Sequence, residues 1–496
     1  MSGLKRLSSA AVVFIASVLL ANTATASPSI TLSKKSGPPT SGILVSGRGF
    51  EPNVAVDVYF DTKDDALVIT NAKGEFDQAK INAPRSARPG KHWVTAVERN
   101  NDKGAQEPFL VRANWSQFNF QYDGTRLNPY ENVLSTQTVP NLEPRWTYNT
   151  GYAVDSSPAV VDGVVYVGCG ETSICALKAT SGKLLWSYAT GDYVFSSPTV
   201  VNGVVYVGSF DGNVYALNSA SGEKLWSYAA GSSILCSPAV ANGVLYIGGD
   251  HNVYALNAST GAQLWVYDTN WYVSTSPAVV NGVVYIGSQD HNVYALEAAT
   301  GVPIWIHALA DSVMATAIVV ANGIVYANSG VNYNDFYALD ARNGSILWKY
   351  TSNHGWLSSP AVADGIVYFG SYTGGVLAMN ARTGRLIWNA PPSLLVESSP
   401  ALANGLLYVG SDSYDLFVLD ARTGAKLWKY HTGKAVQSSP AVANGMVCVG
   451  SEDGNVYAFG LSHDDESKQE ATSKRPDLKK LHPDFSLKVS RSVTPP

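Results

Sequence analysis

The chain has 496 residues, a formal net charge of −5 and charged side chains at only 15% of its positions. This acidic balance, without a basic cluster, argues against a nucleic-acid partner, and we expect none. With 44 glycines and 24 prolines, the composition is typical of a fold that is rich in tight turns.

The N-terminus has the pattern of a secretory signal peptide over residues 1–26. Lys5 and Arg6 precede an apolar stretch at residues 10–20, which is too short to span a bilayer. The small residues 24–26 form a cleavage site. We therefore expect an exported protein, secreted or periplasmic, with no lipid-anchor cysteine near this site and no membrane span.

Residues 28–113 have the pattern of a separate β module. Six or seven short strands, such as residues 54–59 and 92–97, follow one another with a turn about every ten residues, which predicts a β-sandwich. The pattern resembles bacterial immunoglobulin-like modules, although it lacks the Cys…Trp…Cys spacing of antibody domains. A spacer role is favoured over carbohydrate or protein binding. Residues 114–141 are predicted to be a connecting segment.

A Trp-centred motif then recurs at intervals of 39 to 43 residues. A repeat period near 40 residues in an all-β pattern is typical of propeller blades. We therefore predict an all-β protein in which residues 142–461 form an eight-bladed β-propeller of four-stranded blades. The repeat tryptophans are Trp146, Trp186, Trp226, Trp265, Trp305, Trp348, Trp388 and Trp428.

One repeat, residues 196–228, shows the blade pattern clearly. Its short segments are rich in β-branched and aromatic residues, as strands are. Between the first two strands lies Asn202-Gly203, the dipeptide that best suits a type I′ hairpin. An Asn-Gly or Asp-Gly pair stands at this place in all eight repeats, which argues against a helical interpretation of the region.

The last repeat has only three strands of its own, within residues 437–459, and no Trp motif follows them. A fourth strand is available upstream, at residues 144–148 around Trp146. Because an open ring leaves unpaired strand edges, we predict that this upstream strand pairs with residues 455–459 and closes the ring.

The best copies of the repeat motif are residues 338–348, with Asp340 and Gly344, and residues 419–428. They resemble the tryptophan-docking motif of pyrroloquinoline quinone (PQQ)-type propellers. The resemblance implies that the repeat tryptophans pack between neighbouring blades as structural docking residues. That family includes quinone-dependent alcohol dehydrogenases and also the propeller of the outer-membrane β-barrel assembly machinery, which binds no quinone. The resemblance therefore indicates the fold and leaves the activity open.

Four cysteines are present. Cys169 and Cys175 replace residues on opposite arms of one hairpin, so we predict a disulfide between them, which an exported protein can form. The alternative is two unrelated small residues. Cys236 and Cys448 lie in non-adjacent repeats and are predicted to be free and buried.

The search for catalytic and metal-binding motifs is negative. The eight histidines include no close pair, and a Gly-x-Ser-x-Gly motif is absent. The Asp-Gly turns at Asp211 and Asp453 resemble fragments of calcium loops but lack the further carboxylates that a hard cation needs. We therefore predict no catalytic residue and no metal ligand.

The loops before the first strands vary more than the strands do, and variable loops on a repetitive ring are where recognition is expected. The residues that precede the Ser-Ser-Pro slots are Asp155, Phe195, Leu235, Ser274, Met314, Leu357, Glu397 and Gln437. From these and adjacent loops we predict a binding face for a protein or glycan partner. Its candidate residues are Asp155, Tyr193, Trp271, Tyr272, His354, Trp356, Glu397 and Lys434.

Two functions compete for this chain. The first is a non-catalytic binding or scaffolding propeller, which we expect to be a monomer of the cell envelope or extracellular space. The alternative is a PQQ-dependent alcohol or sugar dehydrogenase with PQQ and calcium as cofactors. The three carboxylates of PQQ require several basic side chains, and the predicted face offers only Lys434. No repeat carries an inserted loop long enough to cover a cofactor, so we favour the first function.

Residues 462–496 differ from the repeats. They mix charges of both signs and end in two prolines, which predicts a flexible tail. A docked patch at residues 478–485 is the alternative.

Overall fold

The structure is a computed structural model that describes residues 27–120, 124–314, 316–330, 335–351, 358–371, 375–390, 396–462 and 475–481. The predicted signal peptide, residues 1–26, lies outside these ranges. Within them the only helices are two 3-10 turns, Val139–Asn141 and Leu478–Lys480. No described helix has the length and hydrophobicity needed to cross a membrane. The predicted all-β fold class is confirmed.

The N-terminal module consists of two sheets, β1-β3-β6 and β2-β8-β7-β4-β5, which share one apolar core. In the strand over residues 42–48, Ile43 and Val45 are buried while their neighbours are more exposed, because successive side chains of a strand point to opposite faces. The strands are β1 (Ser29–Leu32), β2 (Ser36–Gly37), β3 (Gly42–Arg48), β4 (Ala55–Phe60), β5 (Lys63–Ile69), β6 (Phe76–Asn82), β7 (Gly90–Glu98) and β8 (Gly104–Val111).

Eight antiparallel sheets follow, which we call blades 1 to 8. Blades 1 to 3 contain β11 (Ala159–Val161), β12 (Val164–Cys169), β13 (Ser173–Lys178), β14 (Leu184–Ala189), β15 (Thr199–Val201), β16 (Val204–Gly208), β17 (Asn213–Asn218), β18 (Lys224–Ala229), β19 (Ala239–Ala241), β20 (Val244–Gly249), β21 (Asn252–Asn257) and β22 (Gln263–Asp268). Blades 4 to 6 contain β23 (Ala278–Val280), β24 (Val283–Gly287), β25 (Asn292–Glu297), β26 (Pro303–Ala308), β27 (Val319–Ala321), β28 (Ile324–Ser329), β29 (Asp335–Asp340), β30 (Ile346–Thr351), β31 (Ala361–Ala363), β32 (Ile366–Ser371), β33 (Gly375–Asn380) and β34 (Leu386–Asn389). Blades 7 and 8 contain β35 (Ala401–Ala403), β36 (Leu406–Gly410), β37 (Asp415–Asp420), β38 (Lys426–His431), β39 (Ala441–Ala443), β40 (Met446–Gly450) and β41 (Asn455–Gly460).

Blade 8 is completed from upstream. Strand β10 (Glu143–Asn149) pairs antiparallel with β41, and Trp146 lies opposite Ala458. The predicted pairing of the strand around Trp146 with residues 455–459 is thereby confirmed. The first hairpin of each repeat also has the expected geometry, since Asn202 and Gly203 have φ angles of 51° and 79°, as a type I′ turn requires.

Each repeat tryptophan reaches the next blade in the same way. The indole N–H of Trp146 donates to the carbonyl of Ala179 at 2.6 Å. The contact is close, because a Cβ added to Gly182 would lie 2.6 Å from the Trp146 ring. The series ends at Trp428, whose indole donates at 3.0 Å to the carbonyl of Leu142, next to β10. Blade 7 is therefore connected to the residue that directly precedes β10 of blade 8.

A second ring of hydrogen bonds runs through the inner Ser-Pro segments. The backbone N–H of Ser157 donates to Ser197 Oγ at 3.0 Å, and the pattern repeats from blade to blade. It closes where the N–H of Ser439 donates to Ser157 Oγ at 2.8 Å. The pattern changes only at Ala317, which has no hydroxyl, and there the N–H of Ser276 donates to the carbonyl of Thr316 instead.

The predicted connecting segment, residues 114–141, crosses the channel rather than merely joining two domains. Trp115 forms a bridge with Val160 of blade 1, while strand β9 (Leu127–Asn128) pairs in parallel with β35 of blade 7. The carbonyl of Ser116 accepts from the N–H of Val200 in blade 2, and the carbonyl of Thr125 accepts from the N–H of Val362 in blade 6. Because blades 2 and 6 lie opposite each other in the ring, the segment closes one end of the channel. We call residues 115–120 and 124–134 the plug.

The N-terminal module sits at the same end as the plug. Asn444, in the first hairpin of blade 8, makes two hydrogen bonds with the backbone of Ala113 at 2.8 and 2.7 Å. Arg112 forms an ion pair of 2.9 Å with Asp162, in the first hairpin of blade 1. These hairpins follow the first strands, so the module contacts the plugged face of the ring.

The prediction of a flexible tail is wrong for residues 475–481, which pack against the N-terminal module. The alternative of a docked patch near residue 478 is the better interpretation, because Leu478 and Leu481 join an apolar cluster with Tyr59. Residues 463–474 and 482–496 of the predicted tail lie outside the described residues.

Candidate functional site: the mouth of the propeller

The central channel is a cup with one opening. Its cavity of about 340 Å³ lies where the chain enters the first strands, and Phe118 of the plug belongs to its lining. Hydroxyl groups of the inner Ser-Pro segments line the wall. They belong to Ser157, Ser197, Ser237, Ser276, Ser359, Ser399 and Ser439. A ligand therefore meets apolar carbon at the base and small polar groups around the side.

The residues directly before the Ser-Pro slots line the upper cavity. All those that the structure describes do so, namely Asp155, Phe195, Leu235, Ser274, Met314, Glu397 and Gln437. Leu357 lies outside the described residues. The repeat fixes the backbone of each blade at this height, so one residue per blade points inwards and the local sequence decides its chemistry.

Arg126 holds the plug in place below the cavity. It is fully buried and donates to the carbonyls of Pro400 at 2.7 Å and Pro440 at 3.1 Å, in blades 7 and 8. It also donates to the carbonyl of Phe118, and its guanidinium lies 4.7 Å from the Phe118 ring. Burial lowers the pKa of Arg126 to about 9, so the group remains a cation at neutral pH.

One side of the mouth is acidic. Burial, together with the nearby Asp412 and Glu452, raises the pKa of Glu397 to about 7. Burial also raises the pKa of Asp155 and of Asp412. Burial, Asp155 and Asp412 raise the pKa of Glu452, while Lys434 opposes the shift. Four carboxyl groups on blades 7, 8 and 1 therefore share one partly desolvated region, where an added cation would be favoured.

The other side of the mouth is aromatic. The ring centroids of Phe195 and Phe210 are 4.8 Å apart, and Tyr193 lies 6.0 Å from Phe195. Trp271, which is 58% exposed, stacks on the imidazole of His251 at 6.0 Å. Exposed aromatic side chains of this kind offer large contact areas with few rotatable bonds.

The predicted binding-face residues are distributed unevenly. Asp155 and Glu397 line the cavity. Tyr193 and Trp271 stand exposed on the outer loops, and the hydroxyl of Tyr272 donates to the carbonyl of Ser233. Lys434 is exposed beside Glu452. The last two predicted residues lie outside the described part of the chain and are His354 and Trp356.

Sequence reasoning missed Phe118, Asp412 and Glu452. Phe118 belongs to the plug, which has no repeat to compare it with. Asp412 and Glu452 follow the serines that end the second strands of blades 7 and 8, a slot held by Phe210 in blade 2. Comparing this second variable slot across the repeats would have found both acids.

The carboxylates of the Asp-Gly turns accept hydrogen bonds from their own blade and from the loop that enters it. Asp211 accepts hydrogen bonds from the hydroxyl of Tyr215 at 2.5 Å and from the backbone of Gly191 at 2.7 Å. Asp453 makes the equivalent contacts with Tyr457 and Gly433. In the ranges that the structure describes, no group of three or more His, Cys, Asp or Glu residues is arranged to hold a metal ion.

The hairpin beside Tyr193 carries a disulfide. Cys169 and Cys175 are bonded, with Cα atoms 5.8 Å apart, and Glu171 between them accepts a hydrogen bond from the Tyr193 hydroxyl at 3.3 Å. Cys236 and Cys448 are free and buried, as predicted.

Comparisons with known proteins agree with the repeat architecture. The sequence profile of the family described as outer membrane protein assembly factor BamB matches residues 132–269, 230–328 and 391–468, more than half of the chain. No curated protein matches the sequence significantly.

Solved structures share the fold at low sequence identity. A europium-containing methanol dehydrogenase has a TM-score of 0.61 at 14% identity, covering 70% of this chain and 98% of its own. BamB from Moraxella catarrhalis has a TM-score of 0.56 at 19% identity, covering 64% and 100%. The quinohemoprotein alcohol dehydrogenase from Comamonas testosteroni has a TM-score of 0.59 at 17% identity, covering 70% and 80%. Dehydrogenases and an assembly factor have the same architecture, so the fold alone does not assign an activity.

Proposed function

The chain belongs to the propeller family described as outer membrane protein assembly factor BamB, and on this premise we propose that it is an exported, non-catalytic eight-bladed propeller that binds a protein partner through its mouth. The observation that carries the proposal is the cup itself, which the plug closes below and which has acidic and aromatic sides. A cup of this kind suits recognition of a protruding segment from one direction.

The chemistry of the rim favours a basic, partly apolar segment. Ionised Asp155, Glu397 and Glu452 repel one another, so a lysine or arginine side chain placed among them would relieve that repulsion. Phe195 and Trp271 across the opening offer contact area for apolar side chains. A glycan would use the aromatic side but would leave the carboxylates without a counter-charge.

The same lining does not fit PQQ. The cofactor brings three carboxylates, and the described residues that line the cavity include neither arginine nor lysine. Arg126 is the nearest cation below the base, but it already donates to three backbone carbonyls. The four acidic groups would also repel the carboxylates of the cofactor. We therefore propose that neither PQQ nor calcium is a cofactor.

The remaining features fit an exported monomer. A disulfide such as Cys169–Cys175 is typical of an oxidising compartment, and we propose a secreted or periplasmic location. We also propose that the two-sheet module at residues 28–113 is immunoglobulin-like and serves as a spacer, since it sits at the plugged end and leaves the mouth open.

A labelled peptide of alternating lysine and leucine tests the mouth proposal by fluorescence anisotropy. We expect saturable binding to the wild-type protein and at least tenfold weaker binding to the double variant Glu397→Gln/Glu452→Gln, because two of the attracting charges are lost. The control Glu223→Gln/Glu297→Gln removes two exposed acids beside the turns between third and fourth strands, on the plugged side, and should bind like the wild type.

Three results would contradict the proposal. Equal binding by both double variants would show that only the net charge matters. Reduction of an electron-accepting dye above background after addition of PQQ and calcium, with an alcohol or sugar as substrate, would establish the dehydrogenase instead. Binding of a neutral oligosaccharide that depends on Trp271 and not on Glu397 would indicate a glycan partner.

A further inference from the structure

A short C-terminal segment, residues 475–481, lies across the five-stranded sheet of the N-terminal module. The hydroxyl of Tyr59 donates to the carbonyl of Leu481 at 2.6 Å. The side chain of Gln106 donates to the carbonyl of Pro476 at 2.9 Å and accepts from Arg475 Nε at 2.6 Å. Strands β4 and β8 of the module thus each bind the segment through a polar side chain.

The local sequence explains why the segment presents one apolar face. Leu478–Lys480 form a 3-10 turn, in which residues three apart lie on the same side. Asp477 caps the turn by accepting from the N–H of Lys479 at 3.2 Å. Leu478 and Leu481 therefore point together at Tyr59 and Val97, while Lys479 and Lys480 remain exposed.

The basic end of the segment meets an aromatic ring. The guanidinium of Arg475 lies 5.4 Å from the centroid of the Trp93 ring, and Lys91 Nζ lies 4.4 Å from the same centroid. Cations at these distances over a tryptophan face are attracted by its ring electrons. At the other end, burial and the nearby Asp57 and Asp64 raise the pKa of Tyr59 to about 12, so its hydroxyl stays a donor at neutral pH.

We propose that residues 475–481 are a latch, a reversible internal ligand that holds the N-terminal module against the propeller. The module is joined to blades 8 and 1 by a few polar contacts around Ala113 and to the plug by Asn132, which donates to the carbonyls of Arg85 and Ala87. The chain departs from blade 8 after β41 and reaches the module a second time through the latch. The docking surface recognises a basic residue and two leucines three positions apart.

The test uses the full-length chain. The double variant Leu478→Ala/Leu481→Ala removes the apolar anchors, and the matched control Lys479→Ala/Lys480→Ala changes the exposed side of the same turn. Amide hydrogen exchange in β4 and β7 should rise at least tenfold in the leucine variant and stay at the wild-type level in the control. Exchange in blades 2 to 6 should be unchanged in both, which distinguishes a released latch from general unfolding.

A labelled synthetic peptide with the sequence of residues 475–481 provides the second measurement. It should bind saturably to the leucine variant, whose docking surface is vacant, and at least tenfold more weakly to the wild type, whose own latch competes. A peptide with alanine at both leucine positions should not bind. Unchanged hydrogen exchange in the leucine variant, or equal binding of both peptides, would overturn the proposal.

Discussion

At the scale of single residues, the carboxyl groups of the mouth lower the stability of the fold. Glu397 lies among Asp155, Asp412 and Glu452 in a partly desolvated rim, and its pKa is about 7. An ionised carboxylate in such a place lowers the free energy of unfolding. Binding of a cationic partner, as proposed, would offset that loss. The inner serines do the opposite, since each hydroxyl at the position of Ser157 is satisfied within the ring.

The stability of the protein should depend on pH because Glu397 titrates differently in the folded and unfolded states. The pKa of Glu397 is raised on folding, so the protein gains stability as the pH falls from above 7 towards 4.5, where the carboxyl of the native state is protonated. At pH 8 the variant Glu397→Gln should therefore be more stable than the wild type, by about 1 kcal/mol after allowing for its exposure. Thermal unfolding at pH 8 and pH 5 checks this, and an equal gain at both values would contradict it.

At the scale of elements, contacts between a tryptophan and a glycine hold neighbouring repeats together. The sequence alone locates these contacts only through its resemblance to other propellers. A Cβ on Gly222 would lie 2.6 Å from the Trp186 ring, whereas a Cβ on Gly243 would meet nothing within 4 Å. Both glycines have positive φ, of 74° and 79°. Comparing an alanine substitution at each glycine therefore separates the free-energy cost of backbone strain from the cost of displacing the tryptophan.

We expect Gly243→Ala to lower the free energy of unfolding by about 1 kcal/mol, from backbone strain alone. Gly222→Ala should lower it by a further 1–3 kcal/mol or so, because the added methyl group overpacks the contact with Trp186. Urea titration of both variants measures the difference. If both variants lose the same free energy of unfolding, the indole moves aside at no free-energy cost and the docking contact contributes little to stability.

The sequence predicted the parts of the molecule that repeat. The type I′ hairpin at Asn202-Gly203 and the completion of blade 8 around Trp146 follow from comparing repeats, and the pocket-facing slots at Asp155 and Glu397 were found in the same way. The plug and the latch occur once each, so neither Phe118 nor Leu481 had a second copy to indicate its role. The residues that the plug and the latch contact are distant in sequence. Burial of apolar side chains against those residues determines the conformation of both segments.

At the scale of the whole molecule, the ring depends on one strand from each end of the repeat region. Strand β10 pairs with β41, and Trp428 donates to Leu142 just before it. The plug then crosses the closed ring, with Arg126 bound to blades 7 and 8. Closure, plug and module therefore meet at the same seam, and a defect there should have wider effects than the same defect elsewhere.

A matched pair of proline substitutions tests the seam. Thr147 lies opposite Tyr457 in the closing strand, and Ser187 lies opposite Cys175 at the equivalent place in blade 1. Proline at either position disrupts the backbone geometry and hydrogen bonding of an outer strand and should cost about 3 kcal/mol locally. A short turn joins β14 to β13, whereas β10 and β41 are far apart in the chain and are held together by their pairing. Thr147→Pro should therefore free the edge of β41 more fully, and β41 then offers an unpaired strand to other molecules. Light scattering during heating should show aggregation at a lower temperature for Thr147→Pro than for Ser187→Pro, and equal onset temperatures would mean that the seam is no weaker than any other blade.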